Sequence, residues 1–164
     1  MSHCLPADRP VIGMFAADPF LRIDQLAGRL AQKGYRDVAN LPSVTQYGIA
    51  FRPVLNGLNV GPAREFKALD QFAALGFAVS VSVAHIDDVA PALALAPAQL
   101  FVVPSFDLWC DGKLDPGGLL TLCGQVAEHR QRAASRAPIV LFAGHTGISP
   151  MQARNAGADG IVLD

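Results

Sequence analysis

Short runs rich in valine, isoleucine and phenylalanine alternate strictly with amphipathic segments along this chain, and no other feature narrows its folds as much. VIGMFAA precedes IDQLAGRLAQKG, DVANLPSV precedes PAREFKALDQFAALG, and FAVSVSVAH precedes IDDVAPALALA. QLFVVPSF, a helical segment near 117–134, PIVLFAG, SPMQARNAG and GIVLD complete the series. The pattern predicts six strands and five helices, hence an α/β fold with a parallel sheet and right-handed crossovers. At 164 residues the chain is expected to be a single domain spanning 1–164. It falls short of the roughly 250 residues of a closed eight-stranded barrel.

Three predicted helices stop at a glycine before the next strand, at Gly34, Gly76 and Gly157. A left-handed residue there closes the last helical turn without a Cβ clash. Parallel strands place their C-terminal ends on one face, where ligands of such folds bind. The polar residues at those ends are Asp18, Asn40 with Ser43, His85, Ser105 with Asp107, His145 with Thr146, and Asp164.

Composition excludes several classes of function. The formal net charge is -1 and basic residues are scattered, so neither nucleic acid nor an anionic membrane is an expected partner. Hydrophobic residues make up 51% and charged residues 16%, which predicts an apolar subunit contact. Cys4, Cys110 and Cys123 are odd in number and lack metal-type spacing, and MSHCLPADRP carries no apolar export segment. A reduced, cytoplasmic protein is expected.

The candidates carry two readings each. Asp18 before Pro19 fits a helix N-cap, or a carboxylate that orients a ligand or a general acid. Asn40 and Ser43 fit a strand-exit turn or a ligand contact. Tyr47, Phe51, Arg52 and Asn56 lie on an unusually long connection, the kind that serves as a lid or binding loop. Arg52 suits a carboxylate or phosphate through its planar fork, or an internal pair with Glu65. His85 fits a surface or capping role. In GHTGISP, Gly144, Thr146 and Gly147 precede Ser149, Pro150 and Gln152, which combine an expected capping box with a possible cradle for an anion. Asp107, Asp111 and Asp115 are expected in a solvated loop, and no cysteine is expected to act as a nucleophile.

MFAADPF followed by VANLPSVTQYGIAFRPVLNGLNVGPAREF resembles the TIM-barrel signal transduction, or phosphoenolpyruvate-hydrolase-like, family. The resemblance rests on Asp18, Pro19 and Phe20, and on Val38, Asn40, Pro42, Val44, Phe51, Arg52, Leu55, Gly61 and Glu65. It implies a partial TIM barrel lacking the family's first two strands, with the missing strands compensated by a homodimer or a complementary chain. Two strand-end histidines of the family align with Pro104 and Ala143, and Asn56 replaces an acidic residue. The expected function is binding of a small carboxylate or phosphate by a diverged member, non-catalytic or partner-dependent. Asn40, Ser43, Arg52, Gly144, Thr146 and Gly147 are the ligand-binding candidates. The alternatives are an active lyase or hydrolase of a 2-oxo acid or related C–C or C–P substrate, with Asp18, Asp107 and His145 catalytic, and an open α/β scaffold module. No resident metal or cofactor is expected; Mg²⁺ is implied only for the active alternative.

Overall fold

The computed structural model describes residues 10–110 and 113–163, so Cys4, Asp111 and Asp164 lie outside it. Six strands form one parallel sheet: β1 (Val11–Met14), β2 (Asp37–Asn40), β3 (Ala78–Val83), β4 (Gln99–Val102), β7 (Ile139–Phe142) and β8 (Gly160–Val162), in the order β1-β2-β3-β4-β7-β8. A small antiparallel ribbon, β5 (Trp109–Cys110) with β6 (Lys113–Leu114), interrupts the chain between β4 and β7. The sheet curls into a half-barrel, with helices between its strands. Among the described residues β1 and β8 do not pair with each other, so the barrel is open.

Among the described residues six α-helices accompany the sheet: α1 (Ile23–Gln32), α2 (Arg52–Gly57), α3 (Pro62–Ala74), α4 (Val89–Ala94), α5 (Pro116–Arg132) and α6 (Pro150–Asn155). The one not anticipated is α2, which lies inside the long connection after two 3-10 turns, Val44–Gln46 and Ile49–Phe51. Alternate strand residues explain the layering. Val38, Val81, Val83, Leu100, Val102, Ile139 and Leu141 are fully buried in the main core, against Leu69 and Phe72 of α3 and Leu119 and Val126 of α5. Their neighbours Ala39, Phe101 and Val140 join Ala84 and Val103 in a second apolar cluster on the opposite face. No helix among the described residues is long and apolar enough to cross a membrane.

The glycine stops behave as local chemistry requires. Gly34, Gly76 and Gly157 have φ of 81°, 83° and 92°. In each case the glycine N–H and the next N–H return to helix carbonyls, as in Gly76 to Ala73 at 2.9 Å and Phe77 to Phe72 at 3.1 Å. That is the double bond pattern of a Schellman cap. Helix α5 ends the same way with Ala134 at φ 51°, where a Cβ is unfavourable. Ala134→Gly is therefore expected to raise unfolding free energy by about 0.5 to 1 kcal/mol, measured by urea denaturation.

One expectation about a helix start is corrected and another reading is extended. Asp18 and Pro19 do not begin a helix: α1 starts at Ile23, and Asp18 instead accepts the Phe20 N–H at 2.8 Å in a local turn. Asp115 is exposed and lies between β6 and α5, as the solvated-loop reading expects, and it has a further role there. It caps α5, accepting from the Gly117 and Gly118 amides at 2.9 and 3.0 Å, with Pro116 at the first helical position. The capping box of Ser149 and Gln152 forms as read from the sequence.

Candidate functional site

The C-terminal ends of the strands carry two polar networks under the long connection. The first is fully buried. Asn40, at the end of β2, accepts the Ser82 N–H through Oδ1 at 2.7 Å and donates to Glu65 Oε2 at 2.9 Å. Ser43 Oγ donates to the same oxygen at 2.6 Å, and the Val44 N–H donates to Glu65 Oε1 at 2.9 Å. Glu65 is 0% exposed, so its carboxylate serves the protein and meets no solvent. Asn40 and Ser43 do come together, but they hold the entry of the connection onto α3 and β3.

The second network fastens the middle of the connection. Arg52 donates Nη1 to Asp88 Oδ1 at 2.8 Å and Nη2 to Asp88 Oδ2 at 2.5 Å, a two-pronged pair. The partner read from the sequence, Glu65, is thus corrected to Asp88, because Glu65 is already committed to Asn40, Ser43 and Val44. Nearby, His85 Nε2 lies 3.1 Å from the Tyr47 carbonyl oxygen, and Gln46 donates to the Pro104 carbonyl at 3.2 Å. His85 is buried, not a surface residue. Above these bonds Tyr47 contacts the rings of Phe51 and Phe106 at 5.9 and 5.3 Å, and all three remain exposed. A Cβ at Gly48 would displace the exposed Asp107 carboxylate.

Burial sets the electrostatics. It pushes the Glu65 carboxyl above its ordinary 4.5, against the lowering effect of its bonds to Ser43, Asn40 and Val44. It also raises Asp88 above its ordinary 3.8, against Arg52. For an acid bound more tightly to its proton when folded, the stabilising contribution is complete below the ordinary value and is lost as pH rises through the raised one. Glu65→Gln, which cannot ionise, is accordingly expected to cost more stability near pH 4.5 than at neutral pH. Urea denaturation across that range checks this; a cost that grows with pH would mean that the hydrogen bonds outweigh burial. The Cys123 thiol is pushed up to about 11 by burial, consistent with an inert core residue.

The other candidates stand apart from these networks. Ser105 is buried, while Asp107 is exposed in the 3-10 turn Phe106–Leu108. His145 is exposed within the turn Gly144–Thr146, and Thr146 Oγ1 accepts the Ile148 N–H at 3.3 Å. Gly144 and Gly147 have φ of 50° and 74°, but the helix beyond them is only six residues long. Its capping box already engages the Ser149 and Gln152 amides. Among the described residues no three His, Cys, Asp or Glu side chains gather in a metal-holding group, so the residues present do not fit a Mg²⁺ site.

Sequence reasoning passed over Glu65 and Asp88 as site residues. For Glu65 a signal existed: with Pro62, Phe66, Leu69 and Phe72 it falls on the buried stripe of α3 at helical spacing. An acid on an apolar stripe requires dedicated donors.

The backbone resembles solved structures. A crystal structure of a proposed phosphonomutase from Burkholderia cenocepacia J2315 aligns with 93% of this chain at a TM-score of 0.62 and 14% identity, and the chain spans 66% of that protein. The N-acetylmannosamine-6-phosphate 2-epimerase from Clostridium perfringens aligns with 93% of this chain, which covers 84% of it, at a TM-score of 0.40 and 10% identity. No family model matches the chain, and no curated protein matches its sequence. The alignment with the first of these structures, together with the six parallel strands and their intervening helices, makes the chain an α/β partial barrel of the TIM type.

Proposed function

We propose that the chain is a diverged phosphoenolpyruvate-hydrolase-like barrel protein that binds a small carboxylate or phosphate and does not transform it unaided. One observation carries the reading: the charged groups at the strand ends are engaged by neighbouring protein groups, with Arg52 Nε and Ser82 Oγ the buried polar atoms left without a partner among the described residues. Both fork nitrogens of Arg52 serve Asp88, and both oxygens of Glu65 serve the segment Asn40–Val44. Catalysis needs bases and donors directed at open space, where charge develops on a substrate. The anionic preference rests on Arg64, a cation at this end of the molecule that pairs with no carboxylate among the described residues, and on the motif resemblance of residues 38–65.

Calorimetric titration with phosphate, pyruvate and oxaloacetate, run beside a product assay on the same 2-oxo acids, tests the proposal. Binding without turnover is expected. Turnover by the purified chain would overturn the non-catalytic part, and the absence of binding to any of the three would overturn the anionic part.

A further inference from the structure

We infer that the anion is held outside the strand-end networks, in a cleft between the β1–α1 connection and α3, by Arg64, Lys67 and Gln71. This inference rests on the anion-binding reading above and gives that reading a location. The cavity has a volume of about 200 Å³ and is lined by Ala16, Asp18, Leu21 and Ile23 on one side and by Arg64, Lys67, Ala68 and Gln71 on the other. Positions 64, 67 and 71 recur at three- and four-residue spacing, so α3 turns three donor side chains to one wall. Ala16 and Ala68 are buried and small, which leaves the space between the walls open.

These donors are available in a way that Arg52 is not. Among the described residues the Arg64 side chain makes one hydrogen bond, a long one of 3.4 Å from Nη2 to the Asp18 carbonyl oxygen. A normal N–H to O distance is about 2.7 to 3.2 Å, so most of the guanidinium is uncommitted. Lys67 is exposed and has no hydrogen bond or ion pair among the described residues. The one anion in the wall, the Asp18 carboxylate, already accepts the Phe20 N–H at 2.8 Å, and two cations against it leave the cleft net positive. Pockets for drug-sized ligands begin at roughly 300 Å³, so this one suits a compact oxyanion such as a phosphate group. A guanidinium beside an ammonium is well matched to the several oxygens of that group.

Inorganic phosphate is the probe, titrated by calorimetry and by amide chemical shifts at constant ionic strength. Arg64→Gln and Lys67→Met are each expected to weaken binding about tenfold, the effect of losing one charge-assisted bond. The shifts of the wild type are expected to centre on residues 16–18 and 64–71. The double variant Arg52→Gln/Asp88→Asn, which removes the strand-end ion pair without stranding a charge, is expected to bind normally. The Lys67 side chain has no partner among the described residues to lose, so Lys67→Met keeps the test valid should Arg64→Gln unfold; thermal melting verifies both. Phosphate binding that survives both single variants, or is lost only with Arg52 and Asp88, would overturn this location while leaving the anion-binding reading intact. No phosphate binding to the wild type would overturn this location, and the absence of pyruvate and oxaloacetate binding as well would overturn the anion-binding reading.

Discussion

Replacing Glu65 with alanine is expected to lower the unfolding free energy by about 3 kcal/mol or more at neutral pH. The loss does not arise from a missing ion pair, since Glu65 forms none among the described residues. It arises because the carboxylate that gathers three buried donors would be gone: the Val44 N–H would lose its acceptor, and the Asn40 amide and Ser43 hydroxyl would keep only other contacts, among them the Ser82 carbonyl at 3.4 Å and Thr45 Oγ1 at 2.8 Å. An unsatisfied buried donor costs about 1 to 3 kcal/mol, and three share this carboxylate. Asn40→Ala is expected to be non-additive with it, because the two residues act within one network. Urea denaturation of the two single variants and the double variant measures the coupling. A cost below about 1 kcal/mol for Glu65→Ala would mean that the connection relaxes or admits water. The network would then not be what positions residues 43–58.

The second large effect concerns association. Strands β1 and β8 each pair on one side only among the described residues. An uncovered strand edge presents unpaired N–H and C=O groups to any other chain. Phe15, Val162 and Leu163 add exposed apolar surface beside these edges. Light scattering across dilution is therefore expected to give a mass above the 17.3 kDa of one chain, either as a homodimer or with a complementary chain supplying strands. The ladder identifies the residue to change. The Val162 carbonyl accepts the Ala143 N–H at 3.0 Å, so Val162 faces β7, and Ile161 presents its own N–H and C=O to the open side. Ile161→Pro is expected to reduce the mass to that of one chain while circular dichroism still reports a folded protein. A monodisperse wild-type monomer at micromolar concentration would refute the expectation and leave a self-sufficient open sheet.

Much of the secondary structure was legible because its causes are local. Alternating apolar runs identified all six sheet strands, and the helix stops at Gly34, Gly76 and Gly157 follow from the conformational freedom of one residue. The capping box at Ser149 and Gln152 spans three residues. Where local signals competed, the reading failed. Asp18–Pro19 and Asp115–Pro116 are both Asp-Pro pairs, yet only the second starts a helix. The first lies in a tight turn at the end of β1, with the Leu21 N–H bonded to the Asp18 carbonyl at 3.2 Å before α1 begins. The outcome is therefore set by where the chain must turn after the strand.

By itself, then, the sequence determined a parallel βα repeat, its helix stops and the single face on which its polar strand-end residues gather. Tertiary structure alone decided what those residues do there. Asn40 meets Glu65 across 25 residues, Asn40 meets Ser82 across 42, and Arg52 meets Asp88 across 36. No short-range rule selects such partners, because the choice depends on which carboxylates the packing of α3 and β3 buries. Burial makes an unpartnered charge too costly to leave alone. It therefore drew Asn40, Ser43 and Arg52 inward as struts, and left Arg64 and Lys67 facing the cleft.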